Sequence, residues 1–204
     1  MSALRKDRRP WPMKWIVLTI ALVIVPYTFL TLHYRKPGPA YRPYQDAQER
    51  ANVVRLLSAG YQRITVAAQR PADSVRATAT APTTAVLGGL PSELVATLVQ
   101  KPLLPAEIHA VTAAPSVSAL QPYPIQFTCT LPDNKQQLAG AELYFKDGEI
   151  VITPDFELLS GALLARSRES VILLTVPAGA LKPGTYRVTL AGQHSSRAWS
   201  VQVH

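Results

Sequence analysis

From Trp15 to Leu32 the chain runs eighteen residues without a charged side chain, and eleven of them are Ile, Val, Leu or Phe. At 1.5 Å per residue such a helix is roughly 27 Å long, close to a hydrocarbon core of about 30 Å. It is apolar all round and has no polar face to offer water. The pattern predicts a transmembrane helix over 15–34, anchored by Trp15, Leu18, Leu22, Val25, Pro26, Phe29 and Leu32. Pro26 is tolerated in such a helix at the cost of a kink. A cleaved signal peptide is the competing explanation. The run is longer than an ordinary signal core and ends in Leu32-His33-Tyr34-Arg35-Lys36 without a small-x-small site, which favours an uncleaved anchor.

Beyond it, Lys36 to Tyr44 reads KPGPAYRPY, a stiff, extended exit. Residues 45–59 then predict an amphipathic helix, with Asp46 as N-cap and Glu49 in capping-box register. Ala47, Ala51, Val54 and Leu57 form its apolar stripe, and Arg50, Asn52 and Arg55 lie off it. That stripe needs a surface to pack on, either the chain's own β-region or a membrane partner. Gly60 stops the helix, and Tyr61 to Ala68 alternates as a strand. Pro71 to Ala85 reads as a linker, small, polar and proline-punctuated, and Leu90 to Gln100 as a short helix capped by Ser92.

From Ile108 the period changes to two. Seven short β-type runs follow, separated by turn residues: 108–114, 123–131, 141–147, 149–154, 170–176, 184–190 and 198–203. Asp147-Gly148 is a hairpin turn by composition. The expected fold is a single-pass helix plus an all-β region, with short helices between. Leu181-Lys182-Pro183-Gly184-Thr185-Tyr186 resembles the corner between strands E and F of immunoglobulin and fibronectin type III domains. The resemblance rests on Leu181, Pro183, Gly184 and Tyr186 and implies an antiparallel immunoglobulin-like β-sandwich, in which the tyrosine hydroxyl bonds back to the upstream backbone. The expected divisions are a basic tail (1–14), the span (15–34), a juxtamembrane region (35–105) and the sandwich (106–204).

The net charge of +8 first suggests nucleic acid. Its distribution argues otherwise. Residues 1–14 carry five Lys or Arg against one Asp, residues 35–76 carry eight basic against three acidic, and residues 101–204 are balanced, eight against eight. The tail is therefore expected on the cytoplasmic side and the β-domain in the periplasm, with the chain single-pass in a bacterial inner membrane. No nucleic-acid partner is expected. The basic juxtamembrane stretch fits anionic headgroups or an acidic membrane partner, or simply a solvated face.

Candidate chemistry is sparse. One cysteine, Cys129, excludes an intramolecular disulfide framework and reads as a small buried hydrophobe. A copper carrier needs soft ligands in the exported part. There the chain offers Cys129 and scattered histidines, of which only His109 and Cys129 could meet across neighbouring strands. No P-loop, G-x-S-x-G, H-E-x-x-H or haem-attachment motif occurs. Asp155 and Glu157 share a face but read as part of a solvated loop. No enzyme activity, catalytic residue, metal or cofactor is expected.

The order of anchor, helix and β-domain, with Arg42-Pro43-Tyr44 ahead of the helix, is similar to that of FixH-like accessory proteins of haem-copper cytochrome c oxidases. The stretch from Pro71 to Pro105 is longer than that plan requires. The resemblance implies a non-catalytic accessory or assembly subunit of a membrane complex, a respiratory oxidase, acting through protein contacts. The candidate docking residues are Tyr41, Tyr44, Arg50, Val54, Arg55, Leu57 and Tyr61. The alternatives are a free-standing envelope binding or scaffold module, tethered by its helix, and the copper carrier.

Overall fold

The computed structural model describes residues 12–34, 43–71, 80–159 and 164–204. Two compact units divide between Pro43 and Tyr44. The first holds helix α1 (Met13–Tyr34), which runs through Pro26 without a break. Trp15, Leu18, Leu22, Val25, Pro26 and Phe29 are all exposed along it, so it is not the core helix of a soluble domain. Two of its threonine hydroxyls are satisfied within the helix: Thr19 Oγ1 donates to the Trp15 carbonyl at 2.8 Å and Thr31 Oγ1 to that of Tyr27 at 2.7 Å. Nothing polar on those side chains then has to find water.

The second unit is a sandwich with a helical layer on one face. Helix α2 (Pro43–Ser58) leads into β1 (Gln62–Val66), β2 (Ala68–Gln69), β3 (Thr84–Leu87) and the short helix α3 (Ser92–Thr97). Then come β4 (Glu107–Ala113), β5 (Ser116–Val117), β6 (Tyr123–Thr130), β7 (Gln136–Lys146), β8 (Glu149–Leu158), β9 (Glu169–Val176), β10 (Gly184–Leu190) and β11 (Ser195–Val203). One sheet has the order β1-β7-β8-β10-β11-β3, with β5 also on β11; the other has the order β2-β9-β6-β4.

Alternation builds the core between them. Ile125, Phe127 and Cys129 of β6, Ile172 and Leu174 of β9, Leu143, Ile150 and Ile152 of β7–β8, and Val188, Leu190, Trp199, Val201 and Val203 of β10–β11 all face inward. Two buried polar side chains there are paired, as burial demands: Trp199 Nε1 donates to the Tyr123 hydroxyl at 3.1 Å, which donates to the Ala114 carbonyl at 2.8 Å. At one margin the chain itself joins the sheets. Val66 pairs with Ala141 in the first sheet, and two residues later Ala68 pairs with Leu174 in the second.

All seven expected β-runs of the C-terminal region are strands. Asp147 and Gly148 both have positive φ, 49° and 80°, as the tight turn between β7 and β8 requires. The Tyr186 hydroxyl donates to the Lys182 carbonyl at 3.0 Å, with Leu181 buried behind it. Several expectations are corrected. The sandwich is not purely antiparallel: β10 runs parallel to β8, and β11 to β5. The β8–β10 pair is linked by way of β9 in the opposite sheet, a crossover that returns the chain in the same direction. The last two residues of the expected linker, Thr84 and Ala85, belong to a strand, because Thr84 to Leu87 pair with β11. The helix of 90–100 is only six residues, begun at Pro91 without a side-chain cap. α2 starts at Pro43, so Asp46 lies in its first turn rather than at its cap. Finally, the contacts do not divide at residue 106: the compact unit begins at Tyr44.

Candidate functional site

The reason for that early boundary is a second, smaller core on the outer face of the first sheet. Tyr144 of β7 and Val151 of β8 point away from the sandwich interior and meet Leu56 of α2, Leu94 and Leu98 at α3, and Tyr61. Point contacts fasten the layer. Arg55 Nη2 donates to the Ala96 carbonyl at 3.0 Å, and the Val99 N–H to Asn52 Oδ1 at 3.3 Å. Lys146 bridges to Glu93 at 2.8 Å, and its ammonium sits 5.0 Å from the Tyr61 ring centroid. The Lys146 hydrogen bond holds the exposed Glu93 carboxyl below its ordinary range.

α2 thereby presents an unexpected face to the sheet. The side toward the sheet is Gln48, Asn52 and Leu56, at i, i+4 and i+8, while Ala47, Ala51, Val54 and Leu57 are exposed. The apolar stripe read from the sequence is therefore not what packs on the chain's own β-region. Of the candidate docking residues, Val54 is 67% and Leu57 61% exposed, and both lie on one face with the exposed Arg50. Arg55 is exposed but spends its guanidinium on α3. Tyr61 is corrected: it is buried in the small core, and burial, as the largest influence, raises its hydroxyl pKa. Tyr41, like most of the basic tail, lies outside the described residues, and the side chains of Leu32 and Tyr44 are likewise not described.

Beside the small core a cleft of about 540 Å³ opens between α2, the segment 99–103 and the outer face of β1, β7 and β8. Its floor is an ion-pair network. Glu142 pairs with Arg63 at 3.1 Å and accepts a hydrogen bond from the Tyr144 hydroxyl. Burial, followed by that bond, drives the Tyr144 pKa well up. Asp155 and Glu157 line the same cleft, from strand β8 and not from a solvated loop as expected. Desolvation, then the charges of Glu142 and Glu157, raise the Asp155 carboxyl above its usual range. Glu142 is thus held by two partners, Arg63 of β1 and Tyr144 of its own strand β7.

His109 and Cys129 do not meet. Cys129 points into the sandwich, its thiol pushed up to about 12 by burial. His109 sits exposed at a bulge in β4, its Nε2 2.7 Å from Thr130 Oγ1. Among the described residues no three His, Cys, Asp or Glu converge on a metal-sized site.

The fold thus defines a mostly β protein whose N-terminal helix, over Met13–Thr31, is long and apolar enough to cross a membrane once. Comparison with protein-family models, with characterised proteins and with solved structures finds no match to the chain.

Proposed function

We propose that this is a non-catalytic, membrane-anchored accessory or assembly subunit that works by protein contacts on a complex in the same membrane. The observation that carries the reading is where the folded unit begins. It starts at Tyr44, and α1 ends at Tyr34. The expected juxtamembrane region, 35–105, is therefore largely part of the domain, and the connection shrinks to residues 35–42. Nine peptide steps reach at most roughly 30 Å. A domain on so short a lead meets partners in or at the bilayer, whereas a module that searches the cell envelope gains from a long one. The basic tail supports an N-terminus in the cytoplasm and a periplasmic sandwich in a bacterial inner membrane. The FixH-like layout points to a respiratory cytochrome oxidase as the complex. The Tyr186 corner supports an immunoglobulin-like ancestry for the sandwich, in spite of the parallel β8–β10 pair.

The test is to lengthen the lead. Inserting about twenty Gly/Ser residues after Pro39 adds roughly 25 Å of root-mean-square reach without touching the domain. A subunit seated on a membrane complex co-purifies with it in mild detergent as the natural chain and loses that association on insertion. A monodisperse monomer from the natural chain, or association indifferent to the insertion, contradicts the reading and favours the tethered module.

A further inference from the structure

We propose that the outward face of α2 lies on the anionic phospholipid surface beside the span, as an in-plane second attachment to the bilayer. This goes beyond the protein-contact reading above and rests only on its membrane-anchored part. Ala47, Arg50, Val54 and Leu57 follow at i, i+3, i+7 and i+10, so they share one face, and every one is exposed. The opposite face is taken by the sheet and α3. The outward stripe is therefore apolar surface that the β-domain leaves open.

Two observations choose lipid as its occupant. The first is proximity: the eight-residue lead keeps the start of α2 within roughly 30 Å of the end of the span. The second is charge. Residues 35–58 carry Arg35, Lys36, Arg42, Arg50 and Arg55 against Asp46 and Glu49, whereas residues 101–204 are neutral. Arg50 stands on the stripe itself. A short apolar stripe with arginine in its midst is too weakly hydrophobic to enter the hydrocarbon, and it suits the headgroup boundary: Val54 and Leu57 reach the first methylenes while Arg50 meets phosphate oxygens. Two attachments, a span and a surface helix, would fix the tilt of the sandwich as well as its distance from the membrane.

The experiment uses the full chain in vesicles. Single cysteines at Val54, Leu57, Val25 and Val171 each carry an environment-sensitive fluorophore. Cys129 is fully buried with its thiol held protonated, so it does not compete for label. Val25, within α1, reports whether the chain is anchored at all. Val171, on the second sheet and two layers from α2, reports bulk water. In phosphatidylglycerol–phosphatidylcholine vesicles, the labels at 54 and 57 are expected to shift to the blue and to be quenched by lipid-borne quenchers, with Val171 unchanged. In phosphatidylcholine alone, or with Arg50→Glu, the shift should fall at least severalfold. Labels at 54 and 57 that stay aqueous while Val25 is quenched overturn the proposal and leave the anchor standing. If those labels are aqueous in vesicles but shielded in native membranes, a protein covers the stripe and the lipid assignment is wrong. An aqueous Val25 overturns the anchored reading itself.

Discussion

The first sheet is packed on both faces, and the two packings are built differently. Its inner face meets the second sheet across a continuous apolar core drawn from eight strands and the segments between them. Its outer face meets α2 and α3 through six buried residues, a salt bridge, a few side-chain hydrogen bonds and a polar cleft. The same strands serve both, since successive side chains alternate: Ile150 and Ile152 face in, and Val151 between them faces out. The contrast separates what makes the fold from what positions it. The inner core specifies the sandwich. The outer one draws α2 and α3 onto the sandwich and so extends the folded unit back to Tyr44. A small core of this kind opens at a lower free energy than the whole.

The largest expected effect is at the inner face. Phe127→Ala, at 1% exposure in the middle of β6, should cost about 3–5 kcal/mol in denaturant unfolding and loosen both sheets together. Leu56→Ala should cost about 2–4 kcal/mol, and its signature is local. Amide exchange should quicken in α2 and α3 and stay slow in β6 and β9. If the two substitutions accelerate exchange everywhere alike, the two packings are one cooperative unit and the comparison fails. Tyr144→Phe removes the hydroxyl that Glu142 accepts from and leaves Arg63 in place. About 1 kcal/mol should be lost, measured as a shift in midpoint without a change in slope.

The smallest effect is one of pH. The Asp155 carboxyl is raised in the folded state, so the native form binds its proton more tightly than the unfolded chain does. Its contribution is present below the ordinary aspartate range and is lost as pH rises through the raised folded value. Asp155→Asn should therefore be slightly more stable than the natural chain at neutral pH, and the advantage should vanish in acid. An advantage that persists unchanged into acid would mean the cleft does not perturb this carboxyl.

What the sequence made legible follows from the range of the interactions involved. The strands of the inner core announce themselves because each carries its own alternation, as in Ile125-x-Phe127-x-Cys129. Asp147-Gly148 and the Tyr186 corner are equally local, each closed within a few residues. The remaining elements are different. β3 and β5 are short edge strands held by pairing with β11, with little apolar pattern of their own. The parallel β8–β10 pair depends on where β9 goes, which no local pattern encodes. Most instructive is α2. Its apolar stripe was the natural face to bury, yet the sheet takes Gln48, Asn52 and Leu56. Asn52 accepts the Val99 N–H and Arg55 donates to the Ala96 carbonyl, partners forty and more residues away. Tyr61 moved from a docking residue to a buried one for the same reason, since Leu94, Leu98 and Tyr144 reach it only through the tertiary fold. The cleft, assembled from α2, 99–103, β1, β7 and β8, was not foreseeable as a cleft, although Asp155 and Glu157 were recognisable as a pair on one face.

Tyr44–Ser58 belongs to the β-domain and not to the tether. Hydrogen–deuterium exchange on the full chain in detergent micelles tests it directly. Amides of Asn52 to Ser58 should exchange orders of magnitude more slowly than those of an unstructured peptide, and Leu56→Ala should abolish most of that protection. Exchange in this segment at the rate of a free peptide, with the strands of the sandwich still protected, would assign α2 to the tether instead.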